Sequence, residues 1–158
     1  MKYKIIKFFL YLFLVLTTSC GFKIVNEKSN QNFSITEIYT SGDNRISFKI
    51  KNNLIADVVK DNTNKIKIDL NTRKKKIIKE KNIKNEVTKY EIQLNTRLYI
   101  YKIDTGKRFE ISISNSGDYI IGANYSNTLS NEKKLVEDLV DNISKKIIKE
   151  ISILFDDI

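Results

Sequence analysis

Two places in the chain hold residues whose type and spacing could do chemistry. The first is Cys20, the only thiol among 158 residues, in "LVLTTSCGFK" at 14–23. The second is "RKKKIIKEKNIK" at 73–84, where Arg73, Lys74, Lys75, Lys76, Lys79, Lys81 and Lys84 meet one acid, Glu80. A lone thiol cannot close an internal disulfide. It is either a site of modification or a buried free cysteine, and a boundary between a greasy run and a polar body favours the former. The basic run offers lysine point charges and one planar guanidinium, Arg73, both suited to phosphate. A solvated loop in a lysine-rich chain would look the same, so an anion clamp and a bland loop both stand. Ile77 and Ile78 in its middle point to partial burial or to a partner.

The composition narrows the chemistry further. There is no histidine. That removes the usual general base, the common zinc sites and the Ser-His or Cys-His nucleophile pairs. Carboxylate-only hydrolysis needs a placed acid pair, and no close Asp/Glu pair sits in a pocket-like loop. The expectation is therefore a protein that is not an enzyme, with no metal and no cofactor. Hydrophobic residues at 41% and charged residues at 30% fit one globular domain. The net charge of +9 arises in a chain rich in Lys, Ile and Asn throughout. An AT-rich coding sequence gives the same bias, so basicity alone does not argue for nucleic acid, and no RNA- or DNA-binding motif is visible.

The start of the chain explains the thiol. Lys2, Lys4 and Lys7 precede the unbroken apolar run Phe8–Leu16, and Thr17, Thr18 and Ser19 are small. A charged start, a short apolar run and small residues at a boundary describe a secretory signal peptide. A membrane span needs ~20 apolar residues, more than twice this run. "LTTSC" resembles the lipobox of bacterial lipoproteins, whose cysteine is acylated and becomes the mature N-terminus. The usual leucine three places before the cysteine is Thr17 here, with Leu16 one step further out. Each buried CH₂ of an acyl chain contributes ~0.8 kcal/mol, so two or three chains hold a protein at a membrane. In lipoprotein sorting an Asp after the cysteine usually signals inner-membrane retention. Gly21 in that place agrees with the outer membrane. Residues 1–19 are thus read as a lipoprotein signal peptide, 20–32 as an acylated tether and 33–158 as the domain. The mature chain carries 25 basic against 19 acidic residues, or +6.

The elements that must position the basic run follow from periodicity. Residues 33–40 alternate as a first strand. Asp43 can cap a helix. Ile46, Ile50, Leu54 and Val58 then recur every four residues, although "RISFKIK" also alternates as a strand would. "KIKIDLN" at 65–71 alternates, as does the longer "YEIQLNTRLYIY" at 90–101. "DTGK" at 104–107 reads as a hairpin turn and "RFEISISNS" at 108–116 as the returning strand. The basic run joins the 65–71 strand to the long one and could extend both into a hairpin arm. Leu135, Val136, Leu139, Val140, Ile143, Ile147, Ile151 and Leu154 form a wide helical stripe that starts between Asn124 and Asn131. One polar face per strand implies a sheet covered on one side. The expected fold class is α+β: a two-layer sandwich with one mostly antiparallel four-stranded sheet under two helices, in the order β-α-β-β-β-α.

These pieces, in this order, resemble the LptE family of outer-membrane lipopolysaccharide-assembly lipoproteins. "CGFK" at 20–23 is similar to the start of mature members. "SGD" before the 44–58 segment is similar to the family's entry into its first helix, which decides that segment for helix. "TKYEIQLNTRLYIYKIDTGKRFEISISNSGDY" at 88–119 resembles the long hairpin. "ANYSN…VEDLVDNISKKII" at 123–148 resembles the closing helix. The resemblance implies an outer-membrane protein that plugs the LptD β-barrel, helps assemble it and assists lipopolysaccharide transport to the outer leaflet. It also implies direct lipopolysaccharide contact, for which the seven basic residues of 73–84 are the candidates. Its partners would be an LptD-like barrel, lipopolysaccharide and the membrane reached through acylated Cys20, with no nucleic acid. Another envelope lipoprotein that binds a protein without touching lipopolysaccharide stays open as the alternative.

Overall fold

The computed structural model describes residues 32–58, 62 and 64–156. The signal-peptide reading, Cys20 and the tether up to residue 31 lie outside the described residues. Strand β1 (Ser34–Gly42) leads into helix α1 (Asn44–Asp57). Three strands follow, β2 (Lys65–Lys81), β3 (Val87–Lys102) and β4 (Arg108–Ile120), and helix α2 (Tyr125–Asp156) closes the domain. The sheet order is β1-β2-β3-β4. β1 runs parallel to β2, and the other two pairings are antiparallel. The expected α+β sandwich and its element order are what the chain adopts.

The segment that reads two ways is helical, and its start shows why. Asp43 is extended and its carboxylate accepts from the Ile46 N–H at 3.1 Å, satisfying one of the orphan donors of the first turn. Ile46, Ile50 and Leu54 are then buried along one face. As a strand, the same stretch would put Ile46, Phe48 and Ile50 together. In the helix Phe48 stays 58% exposed. Gly42 makes the turn from β1 possible. Its φ is +82°, and a Cβ there would lie 2.2 Å from the Thr72 carbonyl oxygen.

Both helices cover the same face. α1 packs on β1 and β2, α2 packs on β4 and β3, and the helices touch each other. Lys49 pairs with Glu137 at 3.1 Å and the Asn53 amide donates to Asp141 at 2.9 Å across that seam. Beneath them Ile66, Ile68 and Leu70 of β2, Ile92, Leu94, Leu98 and Ile100 of β3, and Ile143, Ile147 and Ile151 of α2 are buried. The opposite face of the sheet is polar and open.

Three boundaries move. The strand read as 65–71 continues to Lys81, so residues 73–81 are strand and only 82–86 form the hairpin turn. β3 starts earlier, at Val87, and β4 runs on to Ile120. The hydrophobic alternation of β2 fades at Thr72 because its inward side chains turn from aliphatic to Thr72, Lys74 and Lys76, although the partners of the two lysines, Leu94 and Ile92, are still buried. The hydrogen-bonded ladder with β3 does not end, and pairs Lys74 with Leu94 and Lys76 with Ile92.

Candidate functional site

A strand places alternate side chains on opposite faces, and this sorts the basic run. Ile66, Ile68, Leu70 and Thr72 point under the helices, and Lys74 and Lys76 continue the same row. At Thr72 the row turns polar. Its hydroxyl lies 3.2 Å from that of Thr96, both buried. One and two steps beyond, α2 supplies a counter-charge. Lys74 Nζ lies 2.6 Å from Glu132 Oε1, and Lys76 Nζ lies 2.8 Å from Glu132 Oε2. The Tyr119 hydroxyl donates to the same carboxylate at 2.8 Å. Tyr119 stacks on Tyr90 with ring centroids 5.7 Å apart. The Lys76 ammonium sits 4.3 Å from the Tyr90 centroid, close enough for a cation–π contact.

Burial alone would raise the Glu132 pKa. Hydrogen bonds from Lys74, Lys76 and Tyr119 outweigh it and lower the carboxyl to about 2. Burial pulls the Lys76 ammonium down, and Glu132 and Tyr119 more than offset it, so the net shift is upward. These two lysines are thus engaged with their own protein.

The rest of the run is disposed differently. Arg73 and Lys75 project from the open face and are exposed. At the register shift between Ile78 and Glu80, Lys79 meets Glu91 at 3.1 Å, whose carboxylate raises its pKa. Lys81 donates to the Asn85 side chain at 2.9 Å, and Lys84 stands in the turn. Among the described residues Arg73, Lys75, Lys81 and Lys84 have no acidic partner within ion-pair distance. The structure therefore brings the seven candidates onto one arm but not into one patch. They divide between a helix-facing pair, an open-face pair and the tip.

The arm's turn is held by one side chain. Asn82 Oδ1 accepts from the backbone N–H of Lys84 at 2.9 Å and of Glu86 at 3.0 Å. Its amide donates to Glu86 Oε2 at 2.7 Å. Asn85 takes the left-handed backbone conformation, φ 63°, that closes the turn.

A second feature is the open face itself. A shallow concavity of about 790 Å³ there is lined by Tyr39, Asn71, Arg73, Asn95, Arg97 and Tyr99, among others. The Arg108 guanidinium lies 4.1 Å from the Tyr99 ring centroid. None of these except Arg73 stands out from the sequence, since they occupy ordinary outward positions of an alternating strand. Glu132 and Tyr119 are likewise invisible without the docking of α2 on β4. Gly117 lies under that helix, and a Cβ there would push on the Leu135 Cδ1 at 2.7 Å, a contact that the leucine side chain can relieve by moving. Among the described residues no cluster could hold a metal ion, and no helix is long and apolar enough to cross a membrane.

No family model and no curated protein matches the sequence. Solved structures do match its shape. Rare lipoprotein B from Shewanella oneidensis superposes with a TM-score of 0.59 at 10% identity, over 77% of this chain and 97% of that one. An uncharacterized lipoprotein B from Nitrosomonas europaea superposes with a TM-score of 0.61 at 15% identity, over 86% and 93%. At these identities the likeness is one of fold.

Proposed function

We propose that the chain is an envelope lipoprotein, anchored in the outer membrane through acylated Cys20, that binds lipopolysaccharide and serves as plug and assembly partner of an LptD-like β-barrel. The observation that carries the lipid reading is the hairpin arm. It displays Arg73, Lys75, Lys81 and Lys84 without acidic partners, on a hydrogen-bonded ribbon that outruns β1. Phosphate groups on a lipid would complete those charges. The anchor reading is supported by "LTTSC" at 16–20 and by the fold shared with two proteins named lipoprotein B. The open face supports a protein partner as well, because exposed Tyr and Arg side chains are enriched where proteins meet.

The lipid reading is tested with the variant Arg73→Gln/Lys75→Gln/Lys81→Gln/Lys84→Gln. Its affinity for purified lipopolysaccharide or lipid A falls at least about tenfold, or ~1.4 kcal/mol. Added salt weakens the native protein more than the variant, because screening acts on the missing charges. Equal binding at low salt by a folded variant sinks the reading. In that case, capture of a barrel from detergent-solubilised outer membranes without lipopolysaccharide contact makes the chain a protein-binding module. The anchor has its own check. Mass spectrometry of protein from the native envelope finds Cys20 acylated and N-terminal, and Cys20→Ser blocks processing and releases the protein from the membrane fraction. A free Cys20 thiol, or retention of residues 1–19, rules the anchor out.

A further inference from the structure

We infer that the tip of the β2–β3 arm inserts into an anionic lipid surface, with isoleucines entering the acyl region and lysines gripping the headgroups. The inference rests on the proposal that the arm meets lipid, and adds how it does so. Ile83 stands at the apex of the turn and is fully exposed, in a turn closed by hydrogen bonds to Asn82. An isoleucine on a water-facing apex gains nothing from the fold. Ile78 is 51% exposed on the helix-side face of the ribbon, and Ile120 is 63% exposed on the open face beside Lys89.

The apolar side chains thus lie at the apex and on both faces. A protein partner docks on one face of a ribbon. A lipid surface surrounds a ribbon that enters it, which is the environment these three positions share. Between them lie Lys79, Lys81, Lys84 and Lys89, with Glu80, Glu86, Glu91 and Asp118 as the nearby acids. Lys79 and Lys89 are paired with Glu91 and Glu80, which leaves Lys81, bonded to the Asn85 amide oxygen, and Lys84 without an acidic partner among the described residues, on either side of Ile83. Long lysine stems can lie along apolar surface while the ammonium reaches phosphate. Alternating apolar and basic residues at an exposed end are the pattern of proteins that settle in an anionic interface.

The chain has no tryptophan, so a single one reports its own surroundings. The full chain carrying Ile83→Trp is mixed with vesicles of phosphatidylethanolamine and phosphatidylglycerol. Its emission shifts to the blue and is quenched by lipids brominated along the acyl chain. Ile103→Trp, in the turn at the other end of β3, stays in water on the same vesicles. Neutral phosphatidylcholine vesicles give the indole at position 83 little shift. Adding Lys81→Gln/Lys84→Gln raises the lipid concentration for half-shift about tenfold or more, since each basic residue near an anionic surface contributes ~1 kcal/mol. Unshifted emission from the Ile83→Trp protein, or equal quenching at positions 83 and 103, overturns insertion. So does a shift produced by a co-purified protein but not by vesicles. Suppose the indole at position 83 stays in water while the four-residue glutamine variant still loses lipopolysaccharide binding. Then insertion fails and the proposed function stands. The reverse pair of results keeps insertion and removes lipopolysaccharide binding.

Discussion

Ile147→Ala destabilises the domain by about 2–5 kcal/mol, the range for truncating a fully buried isoleucine. Ile147 is completely buried on the sheet-facing side of α2, between Ile143 and Ile151, which are also completely buried. β3 presents Leu94, Leu98 and Ile100 from below, none of them accessible. Close packing leaves no neighbour able to collapse into the space, so both the lost transfer energy and the cavity contribute. The measurement is urea unfolding at neutral pH. Unfolding free energies of single domains are only ~5–15 kcal/mol, so the variant loses a large part of its stability. A loss under ~0.5 kcal/mol is what exposed positions show, and would mean α2 does not cover the sheet.

That helix was legible because its stripe is long and regular, and a wide apolar stripe beside a one-sided sheet has one place to go. The 90–101 strand was legible for the same reason, with inward Ile92, Leu94, Leu98 and Ile100 against outward Gln93, Asn95 and Arg97. The arm was legible only in outline. Hydrophobic periodicity reports apolar side chains and not pairing, so β2 reads as stopping where its own inward residues turn polar, at Thr72, while Leu94 and Ile92 opposite stay buried. Parity counted from Ile66 does predict that Lys74 and Lys76 continue the buried row. What it cannot predict is Glu132. That residue is fifty-six positions from Lys76 and reaches it only through the packing of α2 on β4. Charge runs identify basic residues but do not say which of them the protein neutralises itself.

That distinction can be measured through Glu132. Its side chain is only 20% exposed and its carboxylate holds Lys74, Lys76 and the Tyr119 hydroxyl. Its pKa is lowered to about 2 in the folded chain against 4.5 as the ordinary value. A group with a depressed folded pKa adds stability that is fully present above its unfolded value. That stability is lost as pH falls through the folded value. The window is therefore from about pH 5 down to about pH 2. Each pKa unit corresponds to ~1.4 kcal/mol, so the shift from 4.5 to about 2 contributes on the order of 3 kcal/mol at neutral pH. Glu132→Gln keeps the shape and removes the charge. It is expected to be less stable than the native protein by on the order of 3 kcal/mol at pH 7, with the gap closing toward pH 2. Lys74→Gln/Lys76→Gln in the Glu132→Gln background costs much less than in the native protein, because contacting charges are not additive. A gap between the native protein and Glu132→Gln that stays constant from pH 7 to pH 2 would show that the carboxylate does not hold these lysines. They would then be available to anions, and the basic surface of the arm would include its helix side as well as its tip.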